Sequence, residues 1–148
     1  MKSKFLICIA LILVSFQSCE DENSEITFHK SHIASRANVP FSDAVETEDL
    51  LFLTGQIGQD FQKGGLVEGG VKAETKQAIE NIEAVLKHHN LTLDNVVKCT
   101  VILKDINDFQ EFNSVYTTYF TKKPARTTFA ASGLAVGASI EIDVIAAK

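Results

Sequence analysis

Arginine is rare in this chain, and one of only two arginines opens an apolar segment near the C-terminus. Arg36 and Arg126 are the two among 14 basic residues, and Arg126 lies in the run Pro124-Ala125-Arg126-Thr127-Thr128. A guanidinium presents N–H donors in a planar fork that binds a carboxylate or phosphate through two parallel hydrogen bonds. Arg126 is therefore a candidate anion-binding residue. From residue identity alone, a bridging or interface arginine is the equally weighted alternative.

A second candidate, Glu141, lies in an alternating segment at the C-terminus. One face of this segment carries Ile140, Ile142, Val144 and Ala146, and the other carries Glu141, Asp143, Ile145 and Ala147. The pattern predicts a strand whose second face is too apolar to be left in water, which favours an oligomer with sites between subunits. We expect Glu141 and Arg126 on neighbouring strands, facing one cleft. A semi-apolar cleft suits a proton-transferring carboxylate, because burial raises its proton affinity, whereas a structural ion pair is the alternative.

Only one cysteine lies in the part of the chain expected to be globular. Cys8 and Cys19 belong to the N-terminal segment, which leaves Cys99 without a partner for an intramolecular disulfide. The alternating apolar pattern around Cys99 includes Val97, Val101 and Leu103. We therefore expect Cys99 to be a small core residue on one face of a strand and not a nucleophile.

The spacing of apolar residues predicts an amphipathic helix from Val71 to His89. Asn90 can end this helix in the left-handed conformation, and the helix dipole favours His88 and His89 in its last turn. No metal site is predicted, because adjacent side chains diverge on a helix.

A second helix is predicted to begin at Asn107, with Gln110 completing a capping box, and to end before Pro124. Its inner face is aromatic and consists of Phe109, Phe112, Tyr116, Tyr119 and Phe120. Short apolar or alternating runs predict strands at residues 26–30, 42–46, 50–54, 96–103, 127–131 and 139–147. This order of elements predicts an α+β domain in which two helices cover one face of a single mixed sheet.

The first 18 residues have the features of an export signal. Lys2 and Lys4 precede an apolar run over residues 5–14 that is too short to span a bilayer, and Cys19 follows directly. This pattern is similar to a bacterial lipoprotein signal, in which Cys19 is lipidated and becomes the mature N-terminus. An ordinary cleaved signal or an uncleaved anchor is the alternative. With residues 19–25 as an acidic tether, we expect an exported protein anchored by lipid to a membrane of the cell envelope, in the periplasm or on the outer surface.

Residues 26–148 are enough for one domain with a proper core. Beyond residue 18 there are 12 basic and 19 acidic residues, which gives this part of the chain a net charge of −7. Nucleic-acid binding depends on neutralising phosphates with a basic surface. No nucleic-acid partner is therefore expected.

Six segments resemble those of the reactive intermediate deaminase family, also called Rid or YjgF-like, in order and spacing. They are Leu53-Thr54-Gly55-Gln56-Ile57-Gly58, the helix segment with Asn81, Val96-Val97-Lys98-Cys99-Thr100-Val101, Asp108-Phe109-Gln110-Glu111-Phe112-Asn113, Pro124-Ala125-Arg126 and Ile140-Glu141-Ile142. The resemblance covers the chain from about residue 26 to the C-terminus. It implies a chorismate-mutase-like α+β fold and a homotrimer with a central barrel of sheets and three sites at the subunit interfaces.

The same resemblance implies hydrolysis of enamines and imines, such as 2-aminoacrylate, to 2-oxo acids and ammonia without a cofactor. Carried over by position, Arg126 would bind the substrate carboxylate, and Glu141 would position or activate the attacking water. Asn113, Thr54 and Gly55 would line the pocket. The backbone of Thr128 would face the nitrogen end of the substrate.

Two positions depart from the family pattern. The usual Gly-Pro-Tyr-Ser reads Val39-Pro40-Phe41-Ser42, so the aromatic ring is kept without its hydroxyl. Thr128 stands where the enamine-active branch has a cysteine. These departures favour, as the alternative function, a non-catalytic carboxylate-binding module. The ribonuclease label of some relatives is disfavoured by the negative charge and the predicted export.

Overall fold

The structure is a computed structural model and describes residues 25–148. The predicted signal (residues 1–18), Cys19 and all but the last residue of the predicted tether lie outside the described residues.

A mixed sheet of seven strands forms the centre of the domain. The strands are β1 (Thr27–His29), β2 (Ala44–Glu46), β3 (Leu50–Leu53), β4 (Gln56–Ile57), β5 (Val96–Leu103), β6 (Ala125–Ala130) and β7 (Ile140–Ala147). Their order is β1-β2-β3-β7-β5-β6, and β4 also pairs with β7. Only β5 and β6 are parallel within the described sheet. The predicted strands are present with small shifts of their ends, whereas the two-residue β4 was not predicted.

Two helices cover one face of this sheet, as predicted. They are α1 (Gly70–His88) and α2 (Phe109–Tyr119), which pack on each other, and α1 also packs on β4 and β7. The core lies between helices and sheet and includes Ile79, Ile82, Leu86, Phe112, Val101, Ile140, Ile142 and Val144. Among the helices within residues 25–148, none combines the length and the hydropathy of a membrane-spanning segment.

The predicted end of α1 is confirmed. Asn90 has a φ of 60°, in the left-handed region that the prediction requires. The amide of Leu91 donates to the carbonyl of Leu86 at 2.9 Å, and the amide of Asn90 donates to that of Lys87 at 3.1 Å. These two bonds are the Schellman motif, which satisfies carbonyls at the end of the helix.

The predicted capping box at Asn107 and Gln110 is wrong. A short 3₁₀ helix (Ile106–Asp108) precedes α2, and the side chain of Asp105 caps it by accepting a hydrogen bond from the amide of Asn107 at 2.9 Å. Asp105 forms a local turn with Asn107, and this turn uses the Asn107 amide that the capping box would need. The start of α2 is therefore displaced to Phe109.

Cys99 is fully buried, as predicted, but Val97 does not share its face. The register of β5 against β7 shifts between Val96 and Lys98, and Val97 is exposed while Val96 is buried. This bulge adds one residue to β5 and so reverses the alternation at its start. Burial raises the pKa of the Cys99 thiol to about 11, which keeps it protonated at neutral pH.

Candidate functional site

Arg126 lies in β6 with its side chain under α2. The Nη1 atom donates a hydrogen bond to Asn113 Oδ1 at 3.0 Å, and the guanidinium carbon is 4.5 Å from the centre of the Tyr116 ring and 5.1 Å from that of Phe112. The cation–π contacts and the hydrogen bond to the Asn113 side chain hold the Arg126 guanidinium in place without neutralising its positive charge. Within residues 25–148, no carboxylate lies within ion-pair distance of Arg126.

A cavity of about 610 Å³ opens beside this guanidinium. We call it the Arg126 pocket; it is lined by Asn113, Tyr116, Thr117, Phe120, Thr121, Lys123, Pro124 and Arg126. The pocket therefore combines a fixed, unpaired positive charge with aromatic walls, an arrangement suited to a small organic anion.

Two buried hydroxyl groups near Arg126 have no hydrogen-bond partner within the described part of the chain. They are Thr128 Oγ1, two residues along β6, and the hydroxyl of Tyr116. Thr128 pairs with Val101, which places its side chain on the helix-covered face, yet it lines neither of the two cavities described here. A buried hydroxyl without a partner is costly to the folded state.

Glu141 lies in β7 and lines a second cavity of about 630 Å³. We call it the Glu141 cleft; its lining includes Arg36, Phe41, Thr54, Gly55, Gln56, Phe61, Val136 and Glu141. Burial raises the pKa of Glu141 above its ordinary value, and the charge of Asp143 raises it further. A half-buried carboxyl that exchanges protons closer to neutral pH is a candidate acid or base.

Gly55 allows the Glu141 carboxylate to take its place in the cleft. A Cβ atom at Gly55 would overlap Glu141 Oε1. The neighbouring strand β4 is held by Asn81 of α1, whose amide nitrogen donates to the carbonyls of Ile57 at 3.1 Å and Gln59 at 3.0 Å. The helix therefore sets the position of the strand that pairs with Glu141.

The sequence reasoning missed Arg36, which shapes the cleft. Its guanidinium is 3.0 Å from Asp43 Oδ1, donates to Gln56 Oε1 at 3.0 Å and lies over the Phe61 ring at 4.6 Å. Arg36 is buried, and its charge is already paired. The scarcity of arginine, which singled out Arg126, was an equally good signal for Arg36.

Backbone strain occurs at the edge of each cavity. Val136 has a φ of 50° and lines the Glu141 cleft, and Lys123 has a φ of 55° and lines the Arg126 pocket. Left-handed backbone is costly for a β-branched residue such as Val136. Nothing in the sequence pattern of these positions indicated it.

The expectation that Arg126 and Glu141 lie on neighbouring strands is wrong, because β5 lies between β6 and β7. Arg126 pairs with buried Cys99 on the helix-covered face, whereas Glu141 pairs with Ile102 on the other face. Within one chain, Phe41, Thr54 and Gly55 accompany Glu141, and Asn113 accompanies Arg126. The predicted site residues thus form two groups on opposite faces of the sheet.

Neither cavity contains a cluster of metal ligands among the residues that the structure describes. Within residues 25–148, the side chains that converge as possible metal ligands are those of His29, Glu46 and His89, which lie near β1 and outside both cavities.

Comparison with known proteins agrees with this fold. The family model described as Endoribonuclease L-PSP matches residues 32–148. A human protein named 2-iminobutanoate/2-iminopropanoate deaminase is 44% identical over 108 residues, which cover 72% of this chain and 79% of the human protein. A RutC family protein from Pyrococcus abyssi is 44% identical over 110 residues, which cover 74% of this chain and 87% of that protein.

A solved structure supports the same assignment. A protein of the conserved Rid family from Yersinia pestis superposes with a TM-score of 0.78 at 35% identity, and covers 84% of this chain and 100% of its own. The predicted α+β fold with two helices on one face of a mixed sheet is confirmed. This chain therefore belongs to the reactive intermediate deaminase family, also called the Rid or YjgF-like family.

Proposed function

We propose that this protein hydrolyses small 2-imino acids and their enamine tautomers to 2-oxo acids and ammonia. The relatives from human and mouse that carry the name 2-iminobutanoate/2-iminopropanoate deaminase support this chemistry. Water adds to the imine carbon, the resulting carbinolamine loses ammonia, and a carbonyl group remains. The reaction transfers no electrons and requires no cofactor.

The unpaired charge of Arg126 is the observation that carries this proposal. An arginine in an ion pair would leave nothing for a substrate, but the described neighbours of Arg126 are an amide and aromatic rings. One of its five N–H groups bonds to Asn113, which leaves a pair of parallel donors for the substrate carboxylate. Arg126 thus binds and orients the acid group that 2-imino and 2-oxo acids share.

Glu141 supplies the proton transfer. Its ionised carboxylate takes a proton from the attacking water, and the protonated form then gives that proton to the departing nitrogen. Ammonia loss requires the protonated acid. The raised pKa favours this second step, because a carboxyl group with higher proton affinity is protonated in a larger fraction of the molecules. Thr54 and Gly55 border this carboxylate, and Phe41 forms an apolar wall of the same cleft.

A complete site requires more than one chain, because Arg126 and Glu141 face opposite sides of the sheet. We propose a homotrimer in which the Arg126 pocket of one subunit meets the Glu141 cleft of the next. The uncovered face of the sheet supports an assembly, since it exposes Phe28, Phe52 and Phe129, which are 68%, 39% and 44% exposed. Burying such a surface between subunits is strongly favourable.

The test uses 2-imino acids generated by an amino-acid oxidase and follows their decay with semicarbazide as a trap. The wild-type protein should accelerate formation of the 2-oxo acid. Arg126→Lys should raise KM tenfold or more, because the two-pronged contact is lost. Glu141→Gln should lower kcat with little change in KM. Glu111→Gln, at an exposed position of α2, is the matched control and should behave as the wild type.

The alternative is a carboxylate-binding module without catalysis. Phe41 favours it, because its ring is 49% exposed in the Glu141 cleft and offers no hydroxyl to a substrate or water. Phe41→Tyr should raise the rate if the missing hydrogen bond limits turnover. If imine decay is unchanged by the wild-type protein while 2-oxo acids bind through Arg126, the binding module is correct. If neither is observed, both functions are excluded.

A further inference from the structure

All four histidines of the chain gather in one place, outside the proposed deaminase site. The rings of His29 and His89 have centroids 4.5 Å apart, those of His32 and His88 are 5.1 Å apart, and those of His88 and His89 are 5.6 Å apart. They come from β1, the segment after it and the end of α1. Adjacent side chains diverge on a helix, which disfavoured a metal at His88 and His89, but folding brings His29 and His32 beside them.

Three side chains in this group offer converging donor atoms. One ligand atom each from His29, Glu46 and His89 lies within 4.8 Å of the other two, and all three side chains are partly exposed. His29 and Glu46 belong to neighbouring antiparallel strands and lie diagonally on the same face, since Thr27 pairs with Glu46 and His29 with Ala44. The Schellman turn at the end of α1 brings His89 against them.

We propose that His29, Glu46 and His89 bind a divalent transition-metal ion, such as Zn²⁺ or Cu²⁺. Two imidazoles and one carboxylate are a ligand set that these ions use, with water in the remaining position. A small rotation of the side chains is enough, because ligands of a tetrahedral ion are about 3.3–3.5 Å apart. The bound ion replaces the hydrogen bond between His29 Nε2 and Glu46 Oε2, which are 2.7 Å apart.

Lys148 orients the carboxylate for this role. Its Nζ atom is 2.6 Å from Glu46 Oε1, which leaves Oε2 directed at His29. Outer contacts of this kind fix the direction of a ligand and affect metal affinity about 10- to 100-fold.

The test measures Zn²⁺ binding to the full-length protein by competition with a chromophoric chelator. One ion should bind per chain with micromolar or tighter affinity. His89→Ala and Glu46→Gln should each weaken binding at least about tenfold. The matched control is His88→Ala, which removes the neighbouring imidazole but none of the three donors. Far-UV circular dichroism checks that each variant is folded, and Glu46→Gln keeps the shape of the side chain.

A Co²⁺ spectrum separates this site from the cysteines of the chain. Nitrogen and oxygen ligands give visible ligand-field bands without the near-ultraviolet charge-transfer band of a thiolate. Absence of saturable binding in the micromolar range would overturn the proposal. So would a thiolate band, or an equal loss of affinity in His88→Ala and His89→Ala.

Discussion

The two arginines differ in what holds their charge. Arg36 is buried against Asp43, and removal of either partner would leave an uncompensated charge inside the domain. Arg126 is held by Asn113 and by aromatic rings, and these contacts leave its charge available. This difference in packing favours Arg126 as the proposed binding residue, whereas Arg36 forms part of the wall of the Glu141 cleft.

The pKa of Glu141 predicts a pH effect that depends on Asp143. Glu141 and Asp143 are two residues apart in β7 and therefore lie on the same face. The negative charge of Asp143 adds to the effect of burial in raising the pKa of Glu141. Asp143→Asn removes that charge, so the pKa of Glu141 should fall. In the proposed mechanism Glu141 must be ionised to act on water, so the acid limb of the pH–rate profile should move to lower pH.

Profiles of kcat/KM against pH for the wild type and Asp143→Asn measure this shift. Asp94→Asn, which removes an exposed carboxylate from a different loop, is the control and should leave the limb in place. A shift to higher pH in Asp143→Asn would contradict the assignment of Glu141 as the base.

The sequence indicated Arg126 and Glu141 as candidate site residues but did not predict that they face opposite sides of the sheet. Arg126 and Glu141 were selected by residue type and strand alternation, which are local signals. Their separation by β5 depends on the order of strands in the sheet, which local patterns do not encode. The left-handed backbone at Val136 was not predicted either, because a β-branched residue disfavours this region and its residue type therefore gives no signal for it.

At the scale of elements, α1 sets the position of β4 through one side chain. Asn81 is buried and bonds to two carbonyls of the chain around β4. Asn81→Ala leaves both carbonyls without this donor, so the free energy of unfolding should fall by about 1–3 kcal/mol. Urea denaturation followed by circular dichroism measures the change.

Gln77→Ala provides the control for Asn81→Ala. Gln77 lies one turn earlier on α1, and within residues 25–148 its side chain donates only to Asn81 Oδ1, at 3.1 Å, so its loss should cost clearly less. Equal destabilisation by the two substitutions would show that the bonds to β4 are not what Asn81 contributes.

The helices and the long strands were largely predictable, because the spacing of apolar residues in a long segment indicates which of its side chains are buried. The predicted bounds of β5 are confirmed, and those of α1 differ by one residue at each end. The start of α2 was misplaced because Asp105 offers the backbone a competing turn. The bulge at Val97 was missed because one inserted residue changes the alternation without changing the residue types.

At the scale of the whole molecule, the open sheet face predicts self-association. Ile145 lies on this face and pairs with Phe52 and Lys98. Ile145→Lys should dissociate the proposed trimer, because it would bury a positive charge whose cross-strand neighbour, Lys98, has the same sign. Multi-angle light scattering at micromolar concentration measures the mass; Ala84→Lys, exposed on α1, should leave it unchanged. A wild-type monomer would refute the trimer.

We further propose, on the basis of the N-terminal sequence pattern, that the protein is exported and that Cys19 anchors it to a membrane of the cell envelope. Cys19→Ala should release the protein or leave its precursor unprocessed, because the thiol that carries the lipid is missing. Metabolic labelling with a fatty acid, followed by membrane fractionation, measures both effects. A wild-type protein that incorporates no label would contradict the anchor, and Cys99→Ala is the control for the loss of a thiol.

The opposite orientations of Arg126 and Glu141 have a genetic consequence. If each proposed site takes Arg126 from one subunit and Glu141 from the next, inactive Arg126→Ala and Glu141→Gln chains should complement each other when co-expressed. Every mixed trimer then contains one intact pair, so random mixing should restore roughly a quarter of the wild-type activity. Separately purified variants that are mixed without subunit exchange should stay inactive. Failure of complementation in isolated hybrid trimers would mean that both residues act within a single chain.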